Sequence, residues 1–273
     1  MSHVPAERCL DIIELLAEGA GNMALGDIAE RLELPKSGAH RLLATLVELG
    51  WAEKDPDTSY YRLTMRLAIL GLRFYVASGI PDICQPLLDR LAGQCREFAR
   101  LAVVDGDSLT WIAHAQGATG GLLYQPFLTT SSVPLYATAT GKAWLSTLPV
   151  EQAIQYVLKA GFENADQYGP EVVRSLDAFL RELKTTTGRG YGLAVNEAEP
   201  GMTAIAAPIR PASGGPAVGT VSIAGPSVRM NEARIAQLSP LVLQYAAEMA
   251  TLWPLRSRAG QAMMTASVVA KAA

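Results

Sequence analysis

The densest run of chemistry in the chain is Lys36-Ser37-Gly38-Ala39-His40-Arg41, two cations, a hydroxyl and an imidazole within six residues. Thr45 falls on the helical face shared by Ser37 and Arg41, with Lys36 and His40 flanking it and Gly38 set among them. A DNA-reading helix presents short polar and basic side chains from its first turns in this way. Arg41 suits a bidentate contact with guanine, and Ser37 and Thr45 suit phosphate or base contacts. Lys54 and Arg62 are expected to hold the flanking phosphate backbone. The competing reading is that such a helix is merely solvated and its unit contacts protein. A winged-helix interaction module with a ligand-sensing domain is therefore kept as the alternative.

Catalysis finds little material. The histidines are His3, His40 and His114, and no H-E-x-x-H or spaced Cys/His set points to zinc. Gly141-Lys142-Ala143 is not a phosphate loop, because Tyr136 stands where its first glycine belongs and Ala143 where Ser/Thr belongs. Gly188, Gly190 and Gly192 have the wrong spacing for a dinucleotide fingerprint. Ser146 and Ser222 lack the Gly-x-Ser-x-Gly context of an esterase nucleophile. No enzyme, cofactor or metal is expected. Thr138-Ala139-Thr140-Gly141-Lys142 opens a helix after an extended segment, and the backbone amides there favour an anion. A small carboxylate is expected there, helped by the Thr140 hydroxyl.

These residues need elements to position them. Residues 7–18 read as an amphipathic helix with Leu10, Ile13 and Ala17 inward, widened by Cys9, Ile12 and Leu16. A second helix spans about 25–32. The third runs from about Pro35, read as its first helical residue, to Leu49, with Ala39, Leu42, Leu43, Leu46 and Leu49 inward. Residues 51–54 and 59–63 make a hairpin around Asp55-Pro56-Asp57. Helix, helix, helix, hairpin is the order of a winged helix-turn-helix. Its charge argues the other way. The whole chain carries −3, and residues 1–63 hold six Lys/Arg against eleven Asp/Glu, or −5. Glu7, Asp11, Glu14 and Glu18 relieve this by lying on a solvated stripe of the first helix.

The segment 64–78 is apolar nearly all round, interrupted by Arg66 and Arg73, and a second copy of itself is the economical cover. Beyond it, strands are expected at 99–104, 109–114, 122–128, 191–195, 203–209 and 217–223, with helices at 139–147, 150–159, 172–187 and 230–252. Irregular interleaving indicates an α+β sensor sheet and not a doubly wound fold. The division expected is 1–63 DNA-binding domain, 64–80 linker and dimerisation helix, 81–256 effector domain and 257–273 disordered tail. No apolar run is long enough to span a membrane. Cys9, Cys84 and Cys95 form no C-x-x-C pair, and a reduced, cytoplasmic protein is expected.

Leu34-Pro35-Lys36-Ser37-Gly38-Ala39-His40-Arg41-Leu42-Leu43-Ala44-Thr45-Leu46 resembles the recognition helix of IclR-family transcriptional regulators. Residues 134–143, 199–209 and 221–226 are similar to the same family, in the same order. The resemblance spans about 7–252 and implies a GAF-like effector domain. By position it assigns Ala139, Thr140, Gly141, Met202, Ala204, Ser222 and Ala224 to an effector pocket. Many relatives carry an Asp seven residues before the glycine that is Gly201 here, where this chain has Ala194. Ala204 and Ala224 also replace a cysteine or second serine of some members. The pocket is accordingly expected to be apolar and to take an aromatic or longer organic acid, with Tyr124, Tyr136 and Met202 nearby. The expected molecule is a homodimer or homotetramer, with no membrane partner, that binds a double-stranded DNA operator as a repressor tuned by that acid.

Overall fold

A computed structural model describes residues 5–18, 22–120, 133–212 and 214–253. The expected strand at 122–128, Tyr124 and the expected tail at 257–273 lie outside the described residues. Contacts divide the chain into two units, Met1–Ala77 and Ser78–Ala273. Among the described residues, no single helix is long and apolar enough to cross a membrane.

The first unit holds α1 (Pro5–Glu18), α2 (Leu25–Arg31), α3 (Lys36–Glu48), β1 (Ala52–Lys54), β2 (Tyr61–Leu63) and α4 (Arg66–Ala77). Its core joins Ile12, Leu16, Met23, Ile28, Leu43, Leu46, Ala52 and Tyr61. Each leucine or isoleucine buried there contributes about 1.5–3 kcal/mol. Three sequence expectations change. The inward stripe of α1 is centred on Ile12 and Leu16, while Leu10 is 59% exposed, because the stripe turns with the helix and not with the hydrophobicity of every residue. Leu49 is likewise exposed, as the residue after the last turn of α3. Pro35 caps α3 with extended backbone and is not its first helical residue. Met23 adds a bridge to Tyr61, with backbone bonds of 3.0 and 2.8 Å, giving the hairpin a third, one-residue partner.

The second unit is an antiparallel sheet between two helical layers. Its elements are α5 (Ile80–Cys95), β3 (Phe98–Asp105), β4 (Ser108–Gln116), α6 (Ala139–Leu145), α7 (Val150–Ala160), α8 (Leu176–Arg189), β5 (Gly192–Val195), β6 (Met202–Ile209), β7 (Gly219–Pro226) and α9 (Glu232–Leu252). The strand order is β4-β3-β7-β6-β5. Helices α5 and α9 lie against one side of it, and α6 packs against β5, β6 and β7 with α8 beyond. The helix expected from 172 begins only at Leu176, capped by Ser175. The preceding stretch is held otherwise, by Gly169 N–H and Glu171 N–H donating to Glu197 and Asn196 carbonyls.

Two details seat α6 and shape the sheet face beneath it. Alanines 139, 143, 194 and 206 form a single buried cluster, so α6 rides close to the sheet. A Cβ on Gly192 would collide with the Ala139 carbonyl. In addition, the β3–β4 register slips between Leu101 and Ala102: Leu101 pairs with Ala113, but Ala102 pairs with Trp111. Ile112 is the extra residue of a bulge, which turns Trp111 onto the face that also carries Arg100.

Candidate functional site

The polar face of α3 is open to solvent. Lys36, Ser37, His40, Arg41 and Thr45 are exposed, Gly38 is half-buried, and Ala39, Leu43 and Leu46 anchor the opposite face. The aliphatic stem of Lys36 reaches back towards Gly26 of α2. Thr45 Oγ1 donates to the Arg41 carbonyl at 3.1 Å, which leaves its lone pairs outward. Glu7, Glu14 and Glu18 are exposed on α1. At the hairpin, Lys54 Nζ lies 5.7 Å from the Tyr61 ring centre. Arg62 Nε donates to Glu53 Oε1 at 2.5 Å, both side chains being about half exposed. Such a surface pair is worth little in water. The hairpin tip is ordered by Asp55, whose carboxylate accepts from the Thr58 and Asp57 amides and the Thr58 hydroxyl. Those bonds, the Thr58 amide first, hold its pKa below the usual carboxylate range.

In the second unit, Ala139, Thr140, Met202, Ala204, Ser222 and Ala224 line one cavity. Strand register explains the convergence: Ala194 pairs with Ala204 and Ala204 with Ala224, while Ser222 pairs with Arg100. Ala194 is in the same wall. The cavity encloses only about 30 Å³, room for a water molecule. Gly141 does not line it. Its amide donates to Thr138 Oγ1 at 3.0 Å, and a Cβ there would run into the Leu135 backbone. Gly141 therefore serves the close seating of α6. Of the first-turn amides, those of Ala139 and Thr140 are left without an intrahelical acceptor. Tyr136 faces elsewhere, into a separate cavity of about 370 Å³ with Tyr156 and Tyr168. Gly201 makes the turn before β6 in left-handed backbone, φ +77°, its amide held by Asn196 Oδ1 at 2.8 Å.

Three residues of this region carry no role in the sequence reading. Lys142, 1% exposed, donates at 2.6 Å to both carboxylate oxygens of Glu197 and at 3.0 Å to the Leu193 carbonyl. Glu182 lies 3.5 Å from the same ammonium and is paired with Arg189 at 2.7 Å. Burial pushes the Glu197 carboxyl up, against the opposing pull of Lys142. This pair ties α6 to the chain between β5 and β6, both of which wall the cavity. Arg100 and Trp111 are the other two: both line the cavity, with the guanidinium carbon 4.0 Å from the indole ring centre. The signal that would have found Trp111 is the bulge, which leaves no mark in hydrophobic periodicity. Among the described residues no His, Cys, Asp or Glu cluster is placed to hold a metal ion.

Residues 5–56 match the IclR helix-turn-helix domain, and residues 75–251 match the bacterial transcriptional regulator IclR C-terminal domain. The chain is 32% identical to the HTH-type transcriptional regulator BhcR of Paracoccus denitrificans, over 93% of this chain and 89% of that one. It is 27% identical to the acetate operon repressor of Salmonella typhimurium, over 88% and 86% of the two chains. An IclR homolog of Microbacterium hydrocarbonoxydans, solved in complex with 4-hydroxybenzoate, has the same fold, with a TM-score of 0.70 and 24% identity over 91% of this chain and 98% of that one. With an exposed polar helix face in one unit and a small walled cavity in the other, the chain belongs to the IclR family of DNA-binding transcriptional regulators.

Proposed function

We propose that this chain is a cytoplasmic, non-catalytic repressor that binds its operator as a dimer and is tuned by a small organic acid in the cavity under α6. The observation that carries the reading is the convergence of Ala139, Thr140, Met202, Ala204, Ser222 and Ala224 on one enclosed space. Residues 1–63 read DNA, 64–80 pair the subunits and 81–256 hold the acid. Lys36, Ser37, Gly38, His40, Arg41 and Thr45 enter the major groove, and Lys54 and Arg62 take phosphates. Helix α4 leaves Ile69, Leu70, Leu72, Phe74 and Val76 between 48% and 72% exposed, an apolar surface suited to a second copy of itself. Pairing there sets two half-sites about one helical turn, or a multiple, apart.

An aromatic acid needs more room than about 30 Å³, and of the wall residues the alanines cannot turn aside. Met202, half-buried and flexible, is the side chain that can make space. Repressors among the relatives and the bound 4-hydroxybenzoate of the Microbacterium homolog support this direction. The test is fluorescence anisotropy with the chain's own upstream DNA at two salt concentrations, with and without aromatic and aliphatic acids. Selective binding that weakens steeply with salt and shifts with one acid is expected, and Arg41→Ala should weaken it roughly tenfold or more. Unselective binding, or binding that no acid shifts, refutes the proposal.

A further inference from the structure

The cavity that Tyr136 lines shares no wall residue with the one under α6. Its volume, about 370 Å³, is in the range of small-molecule sites. The β3–β4 turn, the chain leading into α6, helix α7 and the chain after α7 supply its wall. Val133, Leu135 and Ala160 give it apolar surface, and Tyr136, Tyr156 and Tyr168 give it three aromatic rings. Those rings are held by their neighbours. Tyr136 meets Tyr168 edge to face at 5.8 Å and Phe162 at 4.9 Å, and Tyr156 stacks on Trp144 of α6 at 5.5 Å. Fixed, flat faces of this kind suit a planar aromatic ligand.

The polar groups of the wall narrow the class further. Tyr136 is only 3% exposed, yet its hydroxyl has no hydrogen-bond partner among the described residues. A buried tyrosine ordinarily finds one, and here a cavity adjoins it instead. Burial pushes this phenol above its ordinary value, with Tyr168 adding to the effect, so at neutral pH it keeps its proton and is a donor. Tyr156 accepts from Gln152 Nε2 at 2.6 Å, which leaves its own proton to be donated as well. The two charges in the wall, Lys159 of α7 and Asp107 of the β3–β4 turn, are paired with each other. Neither is left to neutralise a charged ligand, and an unpaired charge is costly to bury. We propose that this cavity is a second ligand site, for a neutral planar aromatic compound whose carbonyl oxygen accepts from the Tyr136 hydroxyl. The inference is independent of the acid-effector reading, because the cavity, its residues and the charge of the ligand all differ.

Calorimetry tests it with acetophenone and coumarin, with ethylbenzene, which resembles acetophenone in shape but lacks the oxygen, and with benzoate, which is charged. The proteins are the wild type, Tyr136→Phe and Ala160→Trp, each checked for an unchanged melting temperature. Acetophenone or coumarin should bind the wild type. Tyr136→Phe should weaken that compound roughly two- to tenfold, the range for a neutral hydrogen bond, and leave ethylbenzene as it was. Ala160→Trp, which puts an indole into the cavity, should weaken the carbonyl compounds at least about tenfold and leave benzoate as it was. If neither carbonyl compound binds the wild type, or if either variant binds them as the wild type does, the site is wrong. A loss on Tyr136→Phe that is equal for ethylbenzene removes the hydroxyl from recognition and overturns the carbonyl class. A loss of benzoate on Ala160→Trp equal to that of acetophenone overturns the restriction to neutral ligands. Should Tyr136→Phe fail to fold, Ala160→Trp decides by itself.

Discussion

Lys142 is a primary ammonium with almost no water, 2.6 Å from both oxygens of a carboxylate 55 residues further along the chain. Removing one partner of such a pair leaves a buried charge uncompensated, which costs about 3–5 kcal/mol. Lys142→Met should therefore lower the urea midpoint sharply, and Lys142→Met with Glu197→Leu should recover much of the loss. A single variant with the wild-type midpoint would show that the pair holds nothing together. Neither this pairing nor the Arg100–Trp111 stack was legible in the sequence. A charged residue announces its presence in a sequence but not which residue it meets. The exposed face of α3 was legible, because Ser37, Arg41 and Thr45 gain their common side from helix periodicity alone. Gly141 shows the opposite error: its conspicuous position in the Gly-Lys-Ala segment reflects clearance against Leu135, not a place in the cavity wall.

At the scale of elements, α4 is the helix whose sequence and surroundings disagree. Its apolar residues would be core in most helices, yet Leu70 is 51% and Phe74 72% exposed. Its start is firmly held: Thr64 Oγ1 donates to the Gly50 carbonyl at 2.7 Å, and Arg66 donates to the Leu49 carbonyl with its guanidinium 5.0 Å from the Trp51 ring centre. A helix fixed at one end and apolar along its sides presents a defined surface to a partner. Leu70→Glu should shift sedimentation towards monomer at micromolar concentration and weaken operator binding by at least about tenfold, since a dimer reads two half-sites together. Retention of both properties would remove α4 from subunit pairing. Most helices and strands were legible to within a few residues, because amphipathic patterns survive in any context. The start of α8 was not, since the Gly169 and Glu171 amides donate to the carbonyls of Glu197 and Asn196, which no local pattern reveals.

Across the whole molecule, the thiols test how completely the second unit excludes water. Cys84 and Cys95 are fully buried on α5, and burial pushes each thiol up to about 11. At pH 8 roughly one part in a thousand is thiolate, so iodoacetamide should leave both unmodified in the native protein and label them only after unfolding. Cys9, half-buried in the first unit and raised less, should be modified first. Rapid native labelling of Cys84 or Cys95 would mean that α5 opens far more often than its packing implies. Sequence alone determined most of the helices and strands among the described residues and the polar face of α3, because periodicity, capping and turn chemistry act over a few residues. Tertiary structure alone decided how large the cavity under α6 is, which way Trp111 faces and what neutralises Lys142. Those outcomes depend on how closely α6 settles on a sheet of alanines and on one residue inserted into β4, distances that arise only when remote parts of the chain meet.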